Sequence, residues 1–131
     1  MIGLDTNVLL RLFIDDDAAQ CQRARAFVDA ASEDEPCLVN LVVLVEFVWA
    51  LSKPLRQPKQ EVIKYLDGLL QSDDLAIERK AAALAALAAY RSGAADFSDY
   101  LLAEVNSGLG CSSTATFDGE AAKSKLFTSV P

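Results

Sequence analysis

The chain has 131 residues, with 12 Lys and Arg against 19 Asp and Glu, a net charge of −7, and no histidine. That length suits one domain of about 100 to 150 residues, and a composition of 52% hydrophobic and 24% charged residues is that of a globular core, not of a disordered chain. Without an imidazole there is no Ser-His-Asp or Cys-His nucleophile system, no histidine base and no zinc site that needs one, so any chemistry must be built mainly from carboxylates.

Cys21, Cys37 and Cys111 are odd in number and form no Cys-x-x-Cys pair, so they read as small buried hydrophobes in a reducing compartment. The opening Met1-Ile2-Gly3-Leu4-Asp5 lacks the basic stretch and apolar run of a signal peptide. The longest apolar run, Leu41 to Leu51, is broken by Glu46 and falls short of the ~20 residues of a membrane span. A cytoplasmic protein with no membrane partner is expected. A pI near 4.5 disfavours general coating of nucleic acid, yet it is compatible with a nuclease that meets phosphate through metal ions.

Short apolar pieces alternate with longer stretches of helical period, the pattern of an α/β fold with a mainly parallel sheet. Met1 to Leu4 predicts a first strand, and Val8 to Ile14 a short helix behind the turn-prone Asp5-Thr6-Asn7. Asp15, Asp16 and Asp17 cap a helix over about 18–31. Cys37 to Val39 predicts a second strand, and Asn40 caps a helix from Leu41 to Leu51. Pro54 ends that helix. Pro58, at a first helical position, opens the next over Lys59 to Leu70, with Val62, Leu66, Leu69 and Leu70 in one apolar stripe. Leu75 to Ile77 predicts a third strand, Arg79 to Arg91 an alanine-rich helix closed by Ser92-Gly93, and Phe97 to Asn106 a helix ending at Gly108. Cys111 to Thr116 and Leu126 to Val130 predict strands four and five, with a helical turn over Gly119 to Lys123 between them.

Asp5 follows strand one and Asp118 follows strand four, and ligands of open α/β sheets bind outside the carboxyl ends of strands. Either residue could equally be a turn or cap residue. Glu46 lies among Leu41, Val42, Val43, Leu44 and Val45 on one side and Phe47, Val48 and Trp49 on the other, so its helix is expected to be buried. A buried carboxylate needs a cation or donors, from a metal or from an arginine such as Arg11 or Arg91. Asp96 and Asp99 stand three apart at a helix start; Asp96 suits an N-cap and Asp99 is the better ligand candidate. Gathering Asp5, Glu46, Asp99 and Asp118 would raise their pKa values together unless a divalent cation neutralised them, and an all-oxygen set suits Mg²⁺ or Mn²⁺.

Ile2-Gly3-Leu4-Asp5-Thr6-Asn7 before an apolar helix, Glu46 in an apolar helix, Gly93-Ala94-Ala95-Asp96-Phe97-Ser98-Asp99 opening a late helix, and Thr114-Ala115-Thr116-Phe117-Asp118 together resemble the PIN domain, in particular the VapC-type toxins of bacterial toxin-antitoxin pairs. The resemblance implies a single domain over residues 1–131, with a three-layer α/β fold and a central parallel sheet of about five strands. It implies a metal-dependent endoribonuclease with an acidic Mg²⁺ or Mn²⁺ site, an RNA substrate, a small antitoxin partner and a homodimer. By the same resemblance the acids of the site are Asp5, Glu46, Asp99 and Asp118, with Asp96 as an additional acid. Thr6 and Asn7 match residues that orient the first Asp, and Thr116 matches a polar residue beside the last acid. Asn40 departs from the Ser or Thr common in relatives.

Two alternatives from other classes are a receiver-like signalling module and an inactive PIN-like partner-binding domain. A receiver needs an acidic pair near strand one and a Lys after the last strand, and neither is present. Retention of all four acids argues against an inactive domain. Lys53, Arg56, Lys59 and Lys64 cluster around the predicted Lys59 helix, either as a solvated basic edge or as a steering patch for RNA phosphates. The stripe of Val62, Leu66 and Leu69 predicts an apolar surface for a homodimer or an antitoxin.

Overall fold

Three short parallel strands organise the first part of the chain in the computed structural model, which describes all 131 residues. They are β1 (Ile2–Gly3), β2 (Cys37–Val39) and β3 (Leu75–Ile77), ordered β1-β2-β3, with Cys37 opposite both Ile2 and Leu75. Parallel neighbours need crossover connections, usually helical. Here these are α1 (Thr6–Arg11) and α2 (Ala18–Asp29) between β1 and β2, then α3 (Leu41–Ser52) and α4 (Lys59–Gln71) between β2 and β3. Within this unit, Met1–Glu78, α1 packs on α2 and α3, and α3 packs on α4.

Local chemistry sets the helix starts. The Asp17 carboxylate accepts the Gln20 amide at 3.0 Å and the Asn40 side chain accepts the Val43 amide at 2.9 Å, each satisfying an amide that the first turn leaves unpaired. Glu78, just past β3, adds a second cap to α3 by accepting the Leu41 amide at 2.8 Å. The first helix begins at Thr6, not Val8, because Asp5 itself is its N-cap. Pro58 is the N-cap of α4 and not its first helical residue.

The stripe on α4 does not form a surface. Val62, Leu66 and Leu69 have no exposed area, so they are core and supply no interface for a second copy or an antitoxin. Fully burying side chains of this kind contributes about 1.5 to 3 kcal/mol each.

The second unit, Arg79–Pro131, holds α5 (Lys80–Ser92) packed on α6 (Phe97–Gly108), followed by β4 (Thr114–Thr116), a 3-10 turn (Ala121–Lys123) and β5 (Phe127–Ser129). Strands β4 and β5 are parallel partners. All five expected strands therefore form, three paired in the first unit and two in the second. Strand β4 starts at Thr114 rather than Cys111. The chain leaves α6 through Gly110 at φ +98°, and the Cys111 amide still bonds back to the Asn106 carbonyl at 2.9 Å, a left-handed exit suited to glycine. Of the three cysteines only Cys37 is buried; Cys21 is half-buried and Cys111 is exposed, contrary to the expectation that all three are core.

Candidate active site

In the first unit, Asp5 stands immediately after β1 and caps α1, its Oδ1 accepting the Val8 amide at 2.9 Å. The other oxygen of the carboxylate takes no part in that contact. Thr6, the first residue of α1, donates its hydroxyl to Glu46 Oε2 on α3 at 3.0 Å. Two residues forty positions apart are thereby joined across the α1–α3 packing. Asp5, Thr6, Asn7 and Glu46 line one cavity of about 360 Å³, with Trp49 and Ala50 also on its wall. Larger clefts in this unit, about 530 and 680 Å³, contain none of these residues; size alone does not mark the chemistry.

Glu46 is exposed, which corrects the expectation of a buried carboxylate. Helix α3 buries Val43, Leu44, Phe47, Val48 and Leu51 and presents Val42, Glu46 and Trp49 outward. Those three positions, spaced four and three apart, share one face. An apolar composition does not reveal which face is covered. Arg11 is not the counter-ion either; its guanidinium binds Asp16 at 2.6 Å and Gln20 at 2.8 Å. Thr6 serves Glu46 in this structure, while Asp5 is oriented by its own helix. Asn40 is a cap and lines no wall of the Asp5 cavity.

In the second unit, Asp96 is the N-cap of α6 and Asp99 completes a capping box, its Oδ2 accepting the Asp96 amide at 3.3 Å. Asp118, after β4, accepts the Glu120 amide on Oδ1 at 2.8 Å, and its own amide donates to Thr116 Oγ1 at 3.0 Å. Burial pushes the Asp99 carboxyl above its ordinary range; the Asp96 backbone hydrogen bond opposes this, and the negative charges of Asp96 and Asp118 reinforce it. The charges of both Asp96 and Asp118 therefore bear on Asp99. Tyr100, buried on α6, accepts the Ala95 amide on its hydroxyl at 3.3 Å and holds the loop that delivers Asp96 and Asp99. A Cβ at Gly93 would collide with that hydroxyl.

Asp5, Glu46, Asp99 and Asp118 share one arrangement. Each is held through one carboxylate oxygen by its local backbone or by a hydroxyl, and the second oxygen stands outside that contact. A set of carboxylate oxygens fits a hard divalent cation that keeps several waters. Within neither unit do three or more acidic side chains converge into a ready-made metal cage. Tyr100, Glu78 and Trp49 are contributors that sequence reasoning did not single out. Glu78 carries the signal that Asp5 carries, an acid just past a strand, and Trp49 stands one turn beyond Glu46; nothing local marks Tyr100.

The family model of the PIN domain matches residues 2–124, which spans both units, and the chain belongs to the PIN domain family. This is a nuclease-type fold. No match is found among curated proteins. No helix is long and apolar enough to cross a membrane.

Proposed function

We propose that this protein is a metal-dependent endoribonuclease, the toxin of a VapBC-type pair, acting in the cytoplasm as a homodimer restrained by a small antitoxin. The observation that carries the reading is the half-engaged state of Asp5, Glu46, Asp99 and Asp118, in a chain of a nuclease-type family that has no histidine. These four, with Asp96 as an additional acid, are the residues that would hold Mg²⁺ or Mn²⁺. When bound, such a cation polarises a phosphoryl oxygen and makes a water more acidic.

The chain's own residues prepare that chemistry. The Val8 amide fixes the Asp5 carboxylate at the helix N-terminus, where the local dipole favours its charge. Thr6 fixes the Glu46 rotamer, and the Thr116 contact sets the backbone of Asp118. The pressure of Asp96 and Asp118 on Asp99 favours uptake of positive charge. Hydrolysis then adds water to phosphorus and transfers its proton to the leaving oxygen.

The test is cleavage of RNA by purified protein in Mn²⁺, followed by addition of EDTA. Cleavage that persists in chelator refutes the metal mechanism. The toxin role is tested by growth arrest on expression, relieved by co-expressing a neighbouring small open reading frame. Absence of arrest removes it while leaving the nuclease.

A further inference from the structure

We propose that Trp49 is a stacking platform for one unpaired base of a single-stranded nucleic acid whose backbone passes Asp5 and Glu46. This rests on the nuclease reading above and adds how an acidic protein gains hold of its substrate. Trp49 is 58% exposed, although α3 has five other residues in the core and does not need the indole there. It stands three residues beyond Glu46 on the outward face and forms part of the same cavity wall as Asp5, Thr6, Asn7 and Glu46.

Net charge does not favour the affinity. The chain carries −7 overall and the cavity brings two carboxylates, which repel phosphates, whereas base stacking on an aromatic ring is indifferent to net charge and to sequence. The neighbouring Asn7 amide offers both a donor and an acceptor to a base edge. A flat base can lie on the indole and leave Asp5 and Glu46 in water. An apolar protein surface closing over the same wall would desolvate them at a cost. The second unit repeats the pairing of an exposed aromatic with a candidate acid: Phe117, 88% exposed, precedes Asp118.

Trp49 is the sole tryptophan, so intrinsic fluorescence reports on it alone. The probes are a 2′-O-methyl phosphorothioate hexanucleotide and an abasic hexamer with the same phosphates, titrated into the full chain with Mg²⁺, with affinity followed separately by anisotropy of a labelled copy. The base-bearing hexamer is expected to change the fluorescence with the same Kd that anisotropy gives, and the abasic one to bind more weakly without the change. Trp49→Ala should weaken binding about 5- to 140-fold, the equivalent of about 1 to 3 kcal/mol per stacked base. Trp49→Phe should fall between, and Phe27→Ala, an exposed aromatic outside the cavity, should bind as wild type. In cleavage, Trp49→Ala should raise KM with little change in kcat.

Binding without a fluorescence response, no binding at all, or wild-type affinity in Trp49→Ala would each overturn the proposal. So would a Trp49→Ala protein that loses only its oligomeric state, which would make the indole a contact between copies. A protein that binds and responds yet cleaves nothing refutes the nuclease reading and leaves the platform standing. One that cleaves with a silent Trp49 does the reverse.

Discussion

The hydroxyl of Thr6 donates to Glu46 Oε2 at 3.0 Å, so the residue that follows the first candidate acid determines the pose of the second. Thr6→Val keeps the shape and removes the donor. Hydrogen bonds to charged groups contribute about 1.5 to 3 kcal/mol when shielded and less when exposed. A fall of about tenfold in kcat/KM is expected, with Thr6→Ser retaining most activity. Equal activity in Val and Ser variants would show that the contact does not set the site.

Glu46 is exposed, and exposed substitutions shift stability by about 0.5 kcal/mol or less. Glu46→Gln can still accept from Thr6, so thermal unfolding should be close to wild type while RNA cleavage is lost. Mn²⁺ should raise the melting temperature of wild type more than that of the variant, by mass action on the folded state. A destabilised variant that still cleaves would make Glu46 structural.

The raised pKa of Asp99, due first to burial and then to Asp96 and Asp118, fixes a sign. A carboxyl whose folded pKa lies above its unfolded value favours the fold while protonated. That contribution is fully present below the unfolded pKa and is lost as pH rises through the folded one. At neutral pH the charged form therefore disfavours the fold, and Asp99→Asn should leave the metal-free protein at least as stable while abolishing cleavage. Melting curves at pH 7 without metal, beside a cleavage assay, check both; a clearly lower melting temperature contradicts the sign.

Cys37 has no exposed area, and burial pushes its thiol above the ordinary thiol range. By the same linkage its contribution is complete below the unfolded pKa and disappears as pH rises through the folded one, so stability should decline as pH climbs past the ordinary thiol range. Cys37→Ala should lose that part of the decline. In a thiol-reagent assay Cys111 should react in the native protein, and Cys37 only after unfolding. Rapid labelling of Cys37 at neutral pH would show that β2 opens readily.

Much of the fold was legible because its signals are local. Cys37–Val39 and Leu75–Ile77 are the strands expected, being short apolar runs bounded by Pro36 on one side and Asp73-Asp74 on the other. Asn40 and Asp17 cap as their chemistry dictates. What was not legible is nonlocal. The burial of Val62, Leu66 and Leu69 and the exposure of Glu46 depend on what packs against α3 and α4, and helical period gives a face without naming its cover. Which strand pairs with which, β1 with β2 and β4 with β5, depends on contacts between distant residues. The sequence positions of the acids suggested Asp5, Glu46, Asp99 and Asp118, but not that each would be pinned through one oxygen.

The close approach of Gly93 to the Tyr100 hydroxyl bears on heredity as much as on architecture. Tyr100 is almost fully buried and cannot swing aside freely, so every single-nucleotide change that replaces Gly93 puts a side chain against the brace behind Asp96 and Asp99. Under the toxin role proposed above, silencing mutations should therefore recur at codon 93 as well as at the acid codons, and those at codon 93 should leave every candidate carboxylate chemically intact. Tyr100→Phe removes the nearest atom of the clash but leaves the ring carbon at 2.7 Å and forfeits the bond to Ala95, so it should restore such an allele in part at most, and selection for revertants offers a way to find it.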